Sequence, residues 1–120
     1  MSGTILFIYG TLKRGMKNHA LIADQEFLDT VRTTPIYRLL NLGPYPGLIL
    51  AETIGRAIHG ELWHVDAETL ARLDVLERVP TMYERRPVKI DSFPEDVQTY
   101  FFVGDACNAF DCGESWPPKK

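Results

Sequence analysis

A glutamate on the apolar face of a predicted helix is the first candidate for acid–base chemistry. Leu70 and Leu73 mark the centre of that face, and at about 100° per residue Glu77 falls almost on the same line. A carboxylate directed at an apolar interior loses solvation, which raises its pKa toward the range of a general base. Asp74, about 70° from the centre of the face, is the rival candidate. Alternatively, the helix ends before Pro80 and Glu77 faces solvent.

A glycine-bounded loop after the first apolar run is the second candidate. The segment Tyr9-Gly10-Thr11-Leu12-Lys13-Arg14-Gly15 has the glycine spacing of a phosphate loop. A true phosphate loop continues with Lys and Ser or Thr, whereas Met16 and Lys17 follow here, which argues against nucleotide hydrolysis. Backbone N–H groups that leave a buried strand at such a turn can instead bind an anion. The alternative is an ordinary strand-to-loop turn.

The segment after the helix supplies a third candidate. Tyr83 could present a hydroxyl to a pocket, and Arg85 could pair with a carboxylate. The alternative is an interfacial tyrosine beside solvated arginines. Glu61 and Glu84 lie in or beside predicted strands, and we expect both at the surface.

Cysteine and histidine contents argue against a metal site. Cys107 and Cys112 form a lone pair without a second pair or a neighbouring histidine, and the three histidines are scattered. We therefore predict no metal and interpret the cysteines as incidental thiols of a reducing compartment.

Charge and hydropathy exclude other classes. The 120 residues carry a net charge of −3 and no basic stripe, so we predict no nucleic-acid partner. No apolar run approaches the roughly 18 residues that span a bilayer. No basic segment precedes the first apolar run, which argues against a secretory signal. We expect one cytoplasmic domain that does not enter a membrane.

Strand-like segments dominate the chain, and one helix interrupts them. This order predicts an α+β fold with a mostly antiparallel sheet that could curl into a barrel to hide its edges. A rigid turn is expected at Gly43–Gly47, and Asn18 is expected to cap a short helix. The predicted strands are 5–9, 26–33, 36–42, 48–51, 56–65, 85–90 and 97–103, and the predicted helices are 19–24 and the segment from Ala67 to Val79.

Several motifs in order resemble the gamma-glutamylcyclotransferase-like superfamily. They are Tyr9-Gly10-Thr11-Leu12, Pro44-Tyr45-Pro46-Gly47, Gly60-Glu61-Leu62, Leu73-Asp74-Val75-Leu76-Glu77 and the pair Tyr83 and Arg85. The segment from Phe7 to Gly15, with Asn18-His19 beyond it, is most similar to the gamma-glutamylamine cyclotransferase branch. The resemblance covers about residues 4–103. We therefore expect a domain at 1–104 and a C-terminal tail at 105–120 with little order.

The resemblance implies a fold, a site and a reaction. The fold is a small mixed, mostly antiparallel β-barrel with a few short helices. Glu77 is the catalytic residue, and Tyr9, Gly10, Thr11, Leu12 and Tyr83 bind the substrate. The substrate is a small gamma-glutamyl amide whose own α-amine attacks the γ-carbonyl, giving 5-oxoproline and a free amine without any cofactor. The alternative is a non-catalytic module that binds small molecules in the same pocket. The oligomeric state is left unassigned.

Overall fold

A mixed sheet of eight strands forms the framework in the computed structural model, which describes residues 3–104 and 110–117. Within these ranges one α-helix packs on the sheet. The elements are β1 (Gly3–Ile8), a 3₁₀ helix (His19–Leu21), β2 (Glu26–Arg32), β3 (Tyr37–Asn41), β4 (Pro46–Leu50), β5 (His59–Asp66), α1 (Ala67–Leu76), β6 (Tyr83–Pro87), β7 (Gln98–Phe102) and β8 (Phe110–Asp111).

The strand order is β2-β5-β1-β7-β4-β3-β8, and β6 pairs with β7. β7 pairs in parallel with β1 and β4, and the other pairings are antiparallel. The expected α+β fold with a mixed, mostly antiparallel sheet is therefore confirmed. The expected closure into a barrel is not confirmed, because no pairing joins the edge strands β2 and β8 in the part of the chain that the structure describes.

Strand β1 lies in the centre of the sheet and is buried on both faces, as its continuous apolar run predicts. Phe7 belongs to one core cluster, whereas Leu6 and Ile8 belong to the other, together with Leu73 of α1. The chain leaves β1 at Tyr9 with both faces of the strand fixed. The loop that follows therefore begins from a rigid point.

Helix α1 begins where its capping residue predicts. The Asp66 carboxylate accepts a hydrogen bond of 2.7 Å from the backbone N–H of Thr69, the interaction that makes Asp a favourable N-cap. The helix ends at Leu76, three residues before the predicted end at Val79, because Arg78 adopts a left-handed backbone with φ 52°. Glu77 is thus the C-cap residue, and its direction depends on this turn.

Two local expectations were wrong near the turns. Asn18 makes no side-chain cap, because its amide binds Thr11 instead, and the helix beside it is a single 3₁₀ turn. Pro46 and Gly47 are not part of the turn but open β4. A proline is tolerated there because the first residue of a strand need not donate to a neighbour.

Residues 110–117, the described part of the tail and hereafter the C-terminal segment, have more order than the sequence indicates. Strand β8 pairs with β3, and the backbone N–H of Cys112 donates to Leu39 over 2.7 Å. The Lys13 ammonium donates to the Trp116 carbonyl over 2.5 Å, so the segment also contacts the loop after β1. Cys112 is buried, whereas Cys107 lies outside the described residues. No helix in residues 3–104 and 110–117 is long and apolar enough to cross a membrane.

Candidate active site

The predicted site residues surround one cavity at the end of β1. An inner recess of about 30 Å³ is lined by Phe7–Leu12, Tyr45, Pro46, Glu77, Tyr83 and Tyr100. An outer cleft of about 230 Å³ adjoins it and shares Thr11, Tyr45, Glu77 and Tyr83 with the recess. The structure therefore brings Tyr9, Gly10, Thr11, Leu12, Glu77 and Tyr83 together, although they come from three separate stretches of sequence.

Glu77 is the titratable carboxylate of this cavity. Burial raises its pKa from 4.5 to about 7, because the charged form loses solvation. Within the described residues, no side chain or backbone N–H donates a hydrogen bond to its carboxylate. A group that titrates near neutral pH and lacks a fixed partner can both accept and return a proton.

Asp74, the rival carboxylate, lies one turn earlier on α1 and is fully engaged. Arg85 donates two hydrogen bonds to it, each 3.0 Å long, and the Tyr100 hydroxyl donates a third of 2.7 Å. Burial opposes ionisation of Asp74, but the hydrogen bonds from Arg85 and Tyr100 and the Arg85 charge outweigh it, so its pKa is lowered. Asp74 is thus a permanent anion that holds the C-terminal turn of α1 against β6 and β7.

The loop after β1 is held by hydrogen bonds from Asn18 and His19, whereas its first backbone N–H groups have no acceptor among the described residues. Asn18 donates to the Thr11 side chain over 3.0 Å and to the Thr11 carbonyl over 2.9 Å, and a His19 ring nitrogen lies 3.0 Å from the Leu12 carbonyl. In contrast, the N–H groups of Gly10, Thr11 and Leu12 have no acceptor within the described part of the chain. Successive free amides at a strand end can bind a carboxylate or an oxyanion.

Gly10 is required by the closeness of the neighbouring turn. A Cβ atom at this position would lie 2.7 Å from Cγ of Pro46, which is inside van der Waals contact. Glycine therefore lets the loop and the start of β4 meet and close the end of the recess.

The predicted site residues Tyr9 and Tyr83 present their rings to the cavity, because their hydroxyls are already hydrogen-bonded. The Tyr9 hydroxyl donates to the Tyr100 carbonyl over 2.6 Å and accepts from the Leu48 N–H over 3.2 Å. The Tyr83 hydroxyl donates to the Pro46 carbonyl over 2.6 Å. Burial raises the pKa of both phenols well above the usual value, so they stay neutral donors. A substrate would meet their rings.

Glu61 contradicts the expectation of a surface residue: it is only 7% exposed. Its carboxylate accepts from the backbone N–H and the guanidinium of Arg14, both over 3.2 Å, and from the Trp63 indole over 3.0 Å. The alternation along β5 was the available signal, since residues 61, 63 and 65 share a face and two of them are large and apolar. Glu61 thereby anchors the far end of the loop that lines the recess.

A larger, open groove lies beside Glu61. It has a volume of about 790 Å³ and is lined by residues of β2, β5 and their flanks, including Lys13, Arg32, His59, Glu61 and Asp91. Its buried carboxylate is already hydrogen-bonded, unlike that of Glu77. Within the described ranges, no three His, Cys, Asp or Glu residues cluster as metal ligands in either cavity.

The fold and the cavity define a small α+β protein in which a partly buried carboxylate with a raised pKa lies beside backbone N–H groups that have no acceptor within the described residues. The family described as "Gamma-glutamyl cyclotransferase, AIG2-like" matches residues 6–117, and the chain belongs to this family. This result confirms the resemblance deduced from the motifs. The family and its named members support a gamma-glutamyl cyclotransferase activity.

Named relatives agree with this assignment. The chain is 41% identical over 85 residues to a putative gamma-glutamylcyclotransferase of Vibrio cholerae, covering 71% of each chain. It is 36% identical over 92 residues to rat gamma-glutamylaminecyclotransferase, covering 71% of this chain and 62% of the relative. The matched region is thus less than two thirds of the rat protein.

A solved structure shares the whole fold. The crystal structure of a mouse AIG2-like protein superposes with a TM-score of 0.78 at 25% identity, covering 100% of this chain and 99% of the other. The similarity therefore includes the C-terminal segment that packs on β3.

Proposed function

We propose that the protein is a gamma-glutamylamine cyclotransferase that converts gamma-glutamyl amides into 5-oxoproline and a free amine. The observation that carries the proposal is the position of Glu77: a carboxylate with a pKa of about 7 and no fixed partner lies in the same recess as three free backbone amides. The rat and human relatives that bear the name gamma-glutamylaminecyclotransferase support the choice of amine substrates.

The first step activates a nucleophile that the substrate brings with it. The α-amine of a gamma-glutamyl group is protonated at neutral pH and cannot attack. The ionised Glu77 carboxylate removes one proton, and the free amine then attacks the γ-carbonyl carbon to close a five-membered ring. Well-oriented intramolecular reactions reach effective molarities on the order of 10⁵ M or more, so holding the substrate folded supplies much of the acceleration.

The second step expels the amine. Ring closure places negative charge on the former carbonyl oxygen, and the N–H groups of Gly10, Thr11 and Leu12 are available to bind this oxygen or the substrate α-carboxylate. When the tetrahedral carbon collapses, the bond to the leaving nitrogen breaks. Protonated Glu77 returns its proton to that nitrogen, and the ring nitrogen, which still carries two hydrogens after the attack, releases one of them to the departing amine. The products are therefore neutral lactam and an ammonium, and the carboxylate ends the cycle ionised. The balance requires no oxidant, reductant or other reactant.

Existing hydrogen bonds engage the other acid–base groups near the recess, which leaves Glu77 as the candidate for both transfers. Asp74 is held by Arg85 and Tyr100, and the Tyr9 and Tyr83 hydroxyls donate to backbone carbonyls. The assigned roles are therefore catalysis for Glu77 and substrate binding for the loop 9–12 and the Tyr83 ring. We place the reaction in the cytoplasm, where the buried Cys112 thiol would remain reduced.

The test is a substrate panel with 5-oxoproline as the measured product. Purified protein is incubated with gamma-glutamyl-ε-lysine, simple gamma-glutamyl alkylamides and gamma-glutamyl amino acids, and 5-oxoproline and the released amine are quantified. Equimolar appearance of the two products is expected. Binding of 5-oxoproline without turnover of any compound would overturn the proposal and favour the non-catalytic binding module.

A further inference from the structure

The outer cleft carries a charge that the proposed chemistry does not use. Beyond the residues it shares with the recess, it is lined by Lys17, Asn18, Leu76, Arg78 and Met82. Two of these are cations, and Glu77 is the only carboxylate among the lining residues. Neither Lys17 nor Arg78 forms an ion pair with another described residue.

Both cations are attached to fixed backbone. Arg78 has φ 52°, its N–H donates to the Val75 carbonyl over 3.1 Å, and its carbonyl accepts from the Thr81 and Met82 N–H groups over 2.8 and 2.9 Å. A non-glycine residue in this conformation is uncommon and is held by its surroundings. Lys17 directly precedes Asn18, which is bonded to Thr11. The backbones of the two residues are therefore fixed, one just after α1 and one on the loop, and their exposed side chains line the cleft.

The size of the recess decides which part of a substrate meets these cations. A recess of about 30 Å³ holds little more than one small group, such as a carboxylate or a carbonyl oxygen. The remainder of a gamma-glutamyl compound must then extend into the outer cleft of about 230 Å³. Since Glu77 lines both spaces, the scissile bond lies near their junction and the leaving amine points outward.

We propose that the outer cleft is the leaving-group subsite and that Lys17 and Arg78 select gamma-glutamyl compounds whose leaving amine carries a carboxylate. The inference rests on the proposed function and narrows its substrate class. A cationic leaving group would instead face two like charges. Leu76 and Met82 would contact the aliphatic part that links the leaving nitrogen to the carboxylate.

Three gamma-glutamyl amides with the same four-carbon chain test the selection. The amides of 4-aminobutyrate, n-butylamine and 1,4-diaminobutane end in a carboxylate, a methyl group and an ammonium, respectively. Exposed charge pairs contribute little each, so we expect kcat/KM to be roughly tenfold higher for the carboxylate than for the ammonium, with the methyl between them. The preference is expected to shrink as salt is raised toward about 1 M, because exposed charges are screened.

Charge-removing and charge-retaining variants assign the preference to the two residues. In the double variant Lys17→Gln, Arg78→Gln we expect the ratio of carboxylate to ammonium turnover to approach one, whereas Lys17→Arg and Arg78→Lys retain it. Arg72→Gln is the matched control, since Arg72 is an exposed cation of α1 outside the cleft. It is expected to leave the ratio unchanged.

The outcomes separate this inference from the proposed function. If 5-oxoproline forms from all three amides at equal rates, or if the double variant keeps the preference, the subsite assignment is overturned while the cyclotransferase proposal stands. If none of the three amides, nor any other gamma-glutamyl compound, yields 5-oxoproline, the proposed function itself fails.

Discussion

The recess at Glu77 and the groove at Glu61 are opposite solutions to burying a carboxylate. The groove is much larger, about 790 Å³ against about 30 Å³ for the recess. Yet Glu61 accepts three hydrogen bonds from Arg14 and Trp63, whereas Glu77 accepts none within the described residues. The loop from Tyr9 to Gly15 joins the two regions, with its first amides at the recess and Arg14 at Glu61.

The difference indicates that a carboxylate without protein partners is a better guide to a candidate active site than cavity size. A satisfied buried carboxylate contributes to stability and has little to offer a substrate. Glu77 is partly buried and has no donor among the described residues, so loss of solvation destabilises its charged form and raises its pKa. A substrate could supply the partner that these residues do not. The hydrogen bonds of Glu61 hold the loop whose amides complete the recess.

Glutamine substitutions at Glu77 and Glu61 are expected to have the largest and most different effects. Glu77→Gln removes the proton acceptor, so we expect kcat to fall by roughly 10²–10⁴ with no loss of folding stability. Glu61→Gln weakens the bonds to Arg14, so we expect a loss of about 1–2 kcal/mol in unfolding free energy and turnover within a few-fold of wild type. Product assays and urea unfolding measure the two effects. Normal turnover in the Glu77 variant would remove Glu77 from the mechanism.

The pH dependence of turnover is the next largest effect. Burial raises the pKa of Glu77 to about 7, and only its ionised form accepts a proton. We therefore expect kcat/KM to rise about tenfold per pH unit below that value and to level off above it. The profile is measured with a neutral-tailed gamma-glutamyl amide to avoid titrating the leaving group. An activity that is constant from pH 5 to pH 8 would contradict the role of Glu77 as base.

Ionisation of Glu77 should also affect folding stability, which is expected to fall as pH rises, whereas turnover rises. The pKa of Glu77 is raised in the folded state from 4.5 to about 7, so the folded protein binds more protons than the unfolded chain between these values. Burial of Glu77 therefore costs no stability below pH 4.5, where the carboxyl is protonated in both states. Above that value the folded state loses stability relative to the unfolded chain, until Glu77 is ionised in both states above pH 7. Glu77→Gln removes this cost, so the variant should gain on wild type by up to about 3 kcal/mol above pH 7 and by nothing at pH 4. Denaturant titrations at both pH values measure the gain, and equal stabilities at pH 8 would show that Glu77 is solvated.

The sequence was sufficient wherever local chemistry determines structure. Asp66 capped α1 as expected, and the apolar run of β1 marked the central strand. The period of Leu70 and Leu73 predicted an inward Glu77, but the helix ends at Leu76, and Glu77 lines the recess from the C-cap position. These features depend on neighbours within one or two turns or strands. They also defined most of the candidate site, because the loop follows β1 directly.

Long-range partners were outside the reach of the sequence. Glu61 is buried because Arg14, 47 positions away, and Trp63 satisfy it, and nothing in β5 alone reveals the former contact. The role of Asp74 depends in the same way on Arg85 and Tyr100. Closure of the sheet was expected from the need to hide strand edges and from the family resemblance, and strand pairings within the described residues do not support it.

Asp74→Asn tests whether a fixed carboxylate supports the free one. The substitution removes the charge that Arg85 pairs with, and we expect a loss of about 1–3 kcal/mol in unfolding free energy, since both side chains are a quarter exposed. The C-terminal turn of α1 should loosen and turnover should slow a few-fold. Glu68→Gln removes an exposed ion pair on the same helix and is expected to cost less than about 0.5 kcal/mol. Equal effects of the two substitutions would mean that the Asp74 pair is only a surface contact.

Tyr83→Phe gives the smallest effect and separates the ring of Tyr83 from its hydroxyl. The hydroxyl donates to the Pro46 carbonyl, so its removal should cost about 1 kcal/mol of stability. The ring stays in the wall of the recess, and catalytic efficiency should change by no more than a few-fold if substrate meets only the ring. Tyr83→Ala removes both and should raise KM strongly. If the phenylalanine variant instead turned over substrate at least about two orders of magnitude more slowly, a loss typical of a missing general acid or base, with stability nearly unchanged, the hydroxyl would have to leave Pro46 during turnover and act on the substrate itself.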